Sequence, residues 1–128
     1  MTNKTISALV IPAEGLPYLD RVSAEDRGSY EFIRTVIPNL FDAVYSTDGT
    51  FHGYVDDEGL LNGLPINPIA TALFGRVLVG PCVVFGAYSP DGERDGREYD
   101  VPRHAVESVE YLAGALEIWL EARPVASA

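Results

Sequence analysis

Apolar and polar residues alternate, or apolar residues form short runs, in five parts of this chain. These patterns predict β-strands, because side chains alternate between the two faces of a strand. The predicted strands are residues 6–12, 40–47, 51–55, 76–88 and 97–101. Asp48-Gly49 predicts a tight hairpin turn, and Asp91-Gly92 with Asp95-Gly96 predicts a long polar hairpin. Gly15 and Pro17 predict a loop over residues 13–21.

Three other segments show helical spacing. Ser23 is predicted to open a helix that ends before Pro38, since the residue before proline is displaced from helical geometry. Asn67-Pro68 predicts the start of a short helix over 68–74, with Gly75 as its left-handed terminator. A last helix is predicted from Pro102 to about Arg123, with Asp100 as its cap. Its apolar stripe comprises Val106, Val109, Leu112, Leu116, Trp119 and Leu120.

Together these elements predict an α+β fold. We expect a single domain over residues 1–128, with a mixed or antiparallel sheet of about five strands packed against the long C-terminal helix and one or two shorter helices. The first few residues and 124–128 are expected to fray.

The charge of the chain restricts its partners. Nineteen acidic residues face nine basic ones, for a formal net charge of −10. Direct nucleic-acid binding and binding to anionic membranes both need clustered Lys and Arg, so we expect neither, whereas a basic protein partner is compatible with this charge. No long apolar segment follows the N-terminus, so a cytoplasmic location is predicted.

No motif for catalysis, metal or cofactor binding is present. Cys82 is the only cysteine and stands in an apolar run, which predicts a buried and inert thiol. His52 and His104 lie on different predicted elements and do not form a metal-binding pair. We therefore expect no catalytic residues, no bound metal and no cofactor, and predict that the protein is not an enzyme.

Two groups of residues are candidates for binding. The first is a loop ordered by prolines and glycines, because rigid loops often carry function; its polar residues are Asp56, Asp57, Asn62, Asn67 and Thr71. The alternative is architectural, with Asn67 acting only as a cap. The second group is His52 and Tyr54, which share one face of a predicted strand and would form an exposed patch if no helix covers that face.

The segment G-L-L-N-G-L-P-I-N-P-I-A-T, with the later G-R-V-L-V-G-P-C-V-V-F-G, resembles a family of small uncharacterised domains. In that family an N-E-x-G-K-L-x-G-L-P-x-N-x-x-A-T stretch precedes a glycine-bounded strand. Asp57 stands where the family usually has Asn, and Leu60 where Lys is common. The resemblance implies a fold and a setting in actinobacteria and their bacteriophages, and it implies no reaction.

Four functional hypotheses follow. The first is a small, acidic, cytoplasmic accessory protein, encoded by a phage, that acts as a non-catalytic binding module on a host protein. The second is a small-ligand-binding domain or enzyme with its site in the loop from Asp56 to Thr71. The third is an acidic DNA mimic of the anti-restriction type, with carboxylates on the 91–98 hairpin and the last helix. The fourth is a homodimer that pairs through a strand beside Asp48-Gly49.

Overall fold

A computed structural model describes residues 4–122, without the side chain of Ala122. Within this range the α+β prediction is confirmed: five strands form one antiparallel sheet in the order β2-β1-β5-β4-β3, accompanied by three helices. The elements are β1 (Thr5–Ile11), β2 (Tyr18–Ser23), α1 (Gly28–Val36), β3 (Phe41–Tyr45), β4 (Phe51–Asp56), α2 (Pro68–Phe74), β5 (Cys82–Gly86) and α3 (Arg103–Ala122). The predicted fraying concerns residues 1–3 and 124–128, which lie outside the described residues.

Each face of the sheet packs against a separate hydrophobic cluster. Along β4, Phe51 and Val55 point toward α2 and α3, whereas Tyr54 points toward α1. Helices pack on both faces of the central strands, and β5 is buried at every position. The sheet is therefore the middle of three layers.

The short helix α2 follows its prediction residue by residue. Asn67 is the N-cap, Pro68 is the first helical residue, and Gly75 takes a left-handed conformation with φ of 72°. Phe74 packs edge-on against Phe51, with 5.5 Å between ring centroids. Gly53 permits this approach of α2 to β4, since a Cβ there would stand 2.9 Å from the Phe74 ring.

Several predicted element boundaries are wrong. The strand predicted over 76–88 is limited to β5, Cys82–Gly86, preceded by an isolated bridge between Ile66 and Val79. Part of the predicted loop over 13–21 belongs to β2; this edge strand buries only Val22, so its apolar pattern is weak. Helix α1 begins at Gly28 rather than at Ser23, whose hydroxyl accepts the nearby backbone N–H of Glu25. The predicted return strand 97–101 is reduced to one bridge between Gly86 and Tyr99.

The long C-terminal helix is confirmed, but its cap and its buried stripe differ from the prediction. Asp100 Oδ1 accepts the backbone N–H of Ser7 at 2.7 Å, so this carboxylate joins the helix start to β1. Val109 is buried, whereas Trp119 and Leu120 are exposed. A helix of 20 residues is about 30 Å long, and strands of five to seven residues span only about 17–23 Å, so α3 extends past the sheet.

Both edges of the sheet are partly blocked. Asp20 Oδ1 accepts the backbone N–H of Arg21 at 2.8 Å on β2, and Asp42 Oδ1 accepts that of Ala43 at 2.9 Å on β3. The alternating antiparallel pattern turns both N–H groups away from the sheet. Occupied edge donors discourage pairing with another strand. The hairpin turn Asp48-Gly49 joins β3 and β4, and β4 lies inside the sheet. A homodimer formed by one of these two strands would therefore have to pair through β3.

Within residues 4–122, no helix combines the length and the apolar character needed to cross a lipid bilayer.

The β3–β4 turn is tied to the start of α3 through Asp48. The Asp48 carboxylate accepts the backbone N–H of Thr50 and the hydroxyls of Thr50 and Ser46, and these bonds lower its pKa to about 2. Thr50 gives its only hydroxyl proton to Asp48, so His104 Nε2, 2.8 Å from that hydroxyl oxygen, is the donor in their contact.

We predict that Asp48 contributes to acid stability. Its folded pKa of about 2 lies below the ordinary value of 3.8, so its contribution is complete above about pH 4 and is lost as the pH falls toward 2. In urea unfolding, Asp48→Asn should be less stable than the wild type at about pH 5, and the difference should shrink by about pH 2. Asp57→Asn, at an exposed carboxylate, is the matched control. A difference that stays constant with pH would contradict the prediction.

Candidate functional site

Asn67, a predicted binding residue, is fully buried and joins three parts of the fold. Its Oδ1 accepts the N–H of Ala70 at 3.0 Å, and its Nδ2 donates to the carbonyls of Ile11 at 2.8 Å and Gly80 at 2.9 Å. These bonds connect the start of α2, the end of β1 and the turn before β5. The polar atoms of the Asn67 side chain therefore all bond within the fold.

The other residues of the predicted loop site divide into two groups. Thr71 Oγ1 accepts the N–H of Leu78 at 2.9 Å, and Asp56 accepts the N–H of Glu58 and the side-chain amide of Asn39. These polar groups hold the bend in place. Asp57 and Asn62 are exposed. Three of the five candidate residues, Asn67, Thr71 and Asp56, thus form hydrogen bonds within the protein.

Cys82 is fully buried, as predicted. Burial raises the pKa of its thiol to about 12, which disfavours the reactive thiolate at neutral pH.

His52 and Tyr54 lie on one face of β4, as predicted, but the expected exposure is wrong for His52, which is only 8% exposed. Tyr54 is half-buried. The segment after β5 covers them: Glu98 reaches His52 Nε2 at 2.9 Å through Oε1 and at 3.0 Å through Oε2. The Tyr54 hydroxyl also donates to Glu98 Oε1, at 3.0 Å.

Two donors hold the Glu98 carboxylate in one orientation. Its side chain is 13% exposed, so little water surrounds it. Burial, followed by the adjacent negative charge of Glu98, raises the pKa of Tyr54, so Tyr54 stays a hydroxyl donor. The Glu98 carboxylate is consequently held in a fixed position and largely shielded from water at the surface of the sheet.

In the cluster of His52, Tyr54 and Glu98, the last two residues line an open groove with a volume of about 1160 Å³. We name it the tyrosine groove. It runs between α1 and the 88–100 segment, and its lining includes Tyr30, Phe41, Tyr54, Tyr88, Glu98 and Tyr99. Phe41 packs against Tyr30 and Tyr54 with centroid distances of 5.7 and 5.5 Å. His52 is not among the lining residues and supports the carboxylate from behind.

The tyrosine groove combines aromatic side chains with a carboxylate. Among residues 4–122, His52 hydrogen bonds through its side chain with Glu98 and with no hydroxyl or thiol nucleophile. The same part of the chain contains no group of three His, Cys, Asp or Glu side chains placed to hold a metal ion. Aromatic rings beside a fixed carboxylate suit a cationic side chain, which is attracted to both.

The acidic hairpin considered for DNA mimicry does not present its carboxylates as one row. Glu98 turns inward to His52 and Tyr54, and Asp95 Oδ2 accepts the Tyr99 hydroxyl at 2.7 Å. That bond is the largest cause of the lowered pKa of Asp95. Two of the acids proposed to resemble phosphates therefore have partners within the chain.

Sequence reasoning found two members of the cluster and missed the third. Glu98 is 46 residues from His52 and lies in the predicted return strand 97–101, where only the DNA-mimic hypothesis assigns it a role. One indication was present: a histidine and a tyrosine on one face of a buried strand require a hydrogen-bond acceptor. The pattern did not specify which of the 19 acids would supply it.

The fold and site together define a small α+β domain with an open groove on one face of an antiparallel sheet. A family model described as "Domain of unknown function (DUF3846)" matches residues 6–103, so the chain belongs to that family. No curated protein sequence matches the chain.

One solved structure, the crystal structure of the small RNA methyltransferase HEN1, is similar to this fold. Its TM-score is 0.52 at 14% sequence identity, over 85% of this chain and 16% of that one. The chain thus corresponds to a small part of that methyltransferase, and the likeness concerns the fold alone.

We predict that Asn67→Ala destabilises the protein by about 3 kcal/mol, since it removes a helix cap and two buried hydrogen bonds to the carbonyls of Ile11 and Gly80. Urea unfolding measures this change. Asn62→Ala is the control in the same loop, and because Asn62 is exposed, its effect should stay within about 0.5 kcal/mol. Equal effects of the two substitutions would contradict the architectural role of Asn67.

Proposed function

We propose that this protein is a non-catalytic binding module that holds a basic segment of a partner protein in the tyrosine groove. The observation that carries the proposal is the Glu98 carboxylate, fixed by His52 and Tyr54 in the lining of an open groove with aromatic walls. An arginine or lysine side chain of the partner would lie over the rings and contact this carboxylate.

The rings at the rim already interact with cations of the chain itself. The guanidinium of Arg27 lies 4.5 Å from the centroid of Tyr30, and that of Arg94 lies 6.0 Å from the centroid of Tyr88. These contacts support the idea that the tyrosine faces attract guanidinium groups. They also predict that a partner binds mainly to the inner rings and Glu98.

The charge of the whole molecule favours the same class of partner. A net charge of −10 attracts basic proteins over long distances and repels nucleic-acid phosphates. Three acidic residues line the tyrosine groove: Asp26, Glu98 and Asp100. Lys4 and Arg97 also line it and offset part of this negative charge. Specificity would therefore depend on the position of Glu98 more than on the local net charge.

A binding role is also supported by the way the potentially reactive groups are used. His52 and Tyr54 direct their polar atoms at Glu98, and Cys82 is buried with a raised thiol pKa. An acid–base or nucleophilic mechanism needs such groups free to reach a substrate.

For the setting, we propose a phage-encoded accessory protein that acts on a host protein in the host cytoplasm. The support is the family resemblance of the segment from Gly59 to Thr71 and the excess of eight arginines over one lysine, which is typical of GC-rich genomes. The competing hypothesis, a small-ligand site in the loop from Asp56 to Thr71, has less support because Asn67, Thr71 and Asp56 bond within the fold.

We predict that Glu98→Gln weakens binding of a fluorescent arginine-containing peptide about tenfold or more, measured by anisotropy at low salt. The substitution keeps the shape and the hydrogen-bond acceptor but removes the charge, and a contact to a charged group contributes about 1.5–3 kcal/mol. Glu93→Gln removes an equal charge from an exposed position of the same hairpin and is the control.

If the peptide were attracted only by the overall negative charge, both substitutions would weaken binding equally. Equal weakening by Glu98→Gln and Glu93→Gln, or undiminished binding by Glu98→Gln, would overturn the proposed site. Affinity capture from host lysate with the wild type and with Glu98→Gln then identifies the natural partner as a protein retained only by the wild type.

A further inference from the structure

A second groove lies on the opposite face of the sheet, between α3 and β2. It has a volume of about 450 Å³ and mainly apolar walls; Leu19 forms one side, and Val106 and Val109 form the other. We name it the α3 groove. A volume of this size lies within the ~300–1,000 Å³ range of ligand pockets and can receive several aliphatic side chains.

The α3 groove opens at the edge of the sheet, where β2 is the outermost strand. Leu19 on this strand lines the groove and is 54% exposed. Gly114 widens the opening, since nothing lies within 4 Å of a Cβ added at that position.

The rim of the α3 groove is acidic. Glu110 and Glu117 line it, and a separation of seven residues places them on the same side of the helix. From residue 105 to residue 122 the helix contains no Lys or Arg. An apolar floor below a row of carboxylates is complementary to an apolar stripe flanked by basic residues.

We propose that the α3 groove binds an amphipathic helix of a partner protein, with aliphatic anchors on one face and Lys or Arg on the flanks. Such a helix would extend the layer formed by α2 and α3 over β2, in the helix-in-groove mode of recognition. An added strand fits less well, because the outward N–H of Arg21 on β2 is already bonded to Asp20. A second copy placed symmetrically would bring the carboxylates of two α3 helices together.

This surface is independent of the tyrosine groove, since the sheet separates the two. The proposals can therefore fail separately. Glu98→Gln affects only the tyrosine groove, and substitutions at Gly114 affect only the α3 groove.

The test uses a designed peptide of about 18 residues, with Leu at i, i+3, i+4 and i+7 spacing and Lys beside this stripe. Binding to the full chain is followed by fluorescence anisotropy. Gly114→Leu, which fills the α3 groove at an exposed helical position, should weaken binding at least tenfold. Gly114→Ala adds only a methyl group, confirms that the helix tolerates a side chain there, and should weaken binding much less.

Charge is tested with matched pairs of substitutions on α3. Glu110→Gln with Glu117→Gln should weaken binding about fivefold, as expected for the loss of two surface ion pairs. Glu107→Gln with Glu121→Gln removes the same charge from positions that do not line the α3 groove, and should have little effect. Glu98→Gln should bind the designed peptide as the wild type does.

Several results would overturn the proposal. They are an absence of saturable binding, equal binding by Gly114→Leu and the wild type, equal effects of the two double substitutions, and equal binding of a peptide with Glu in place of Lys. A homodimer in sedimentation that Gly114→Leu dissociates would assign the α3 groove to a second copy instead.

Discussion

The buried amide of Asn67 is the interaction on which the arrangement of this domain most depends. It caps α2 through Ala70, and it donates to carbonyls at the end of β1 and just before β5. These bonds fix where α2 lies over β4 and β5, and they hold the two central strands at one end of their pairing. A side chain without both the amide donor and the acceptor would lose part of this connection, and an unsatisfied buried polar group costs about 1–3 kcal/mol.

The role of Asn67 separates a structural loop from a face of the sheet that is open to solvent. The loop that contains Asn67 is tightly determined because its polar atoms hold the layers together, and little of its chemistry remains for a ligand. On the α1 face, the Glu98 carboxylate is fixed by His52 and Tyr54 and still opens on a groove. A fixed and poorly hydrated charge needs no reordering when it meets a cation, which makes this face the better one for recognition.

The sequence predicted the elements with strong local patterns. The cap at Asn67, the terminator at Gly75 and the hairpin at Asp48-Gly49 are local, so a few neighbouring residues determine them. The missed strand β2 lies at an edge and buries one residue, so its alternation was indistinct. The position of Glu98 depends on how the 88–100 segment returns to the sheet, and such a long-range contact leaves no periodic pattern. The exposed end of α3 reflects the length of the helix relative to the sheet, which hydrophobic spacing alone does not reveal.

We propose that a basic segment binds on the α1 face and that the polar residues of the Asn67 loop stabilise the fold. Nuclear magnetic resonance with assigned backbone and aromatic signals tests this proposal directly, during titration with an arginine-containing peptide. We expect the largest chemical-shift changes at Tyr30, Tyr54 and Glu98. Changes concentrated at Asp57 and Asn62, with the tyrosine groove unperturbed, would contradict it.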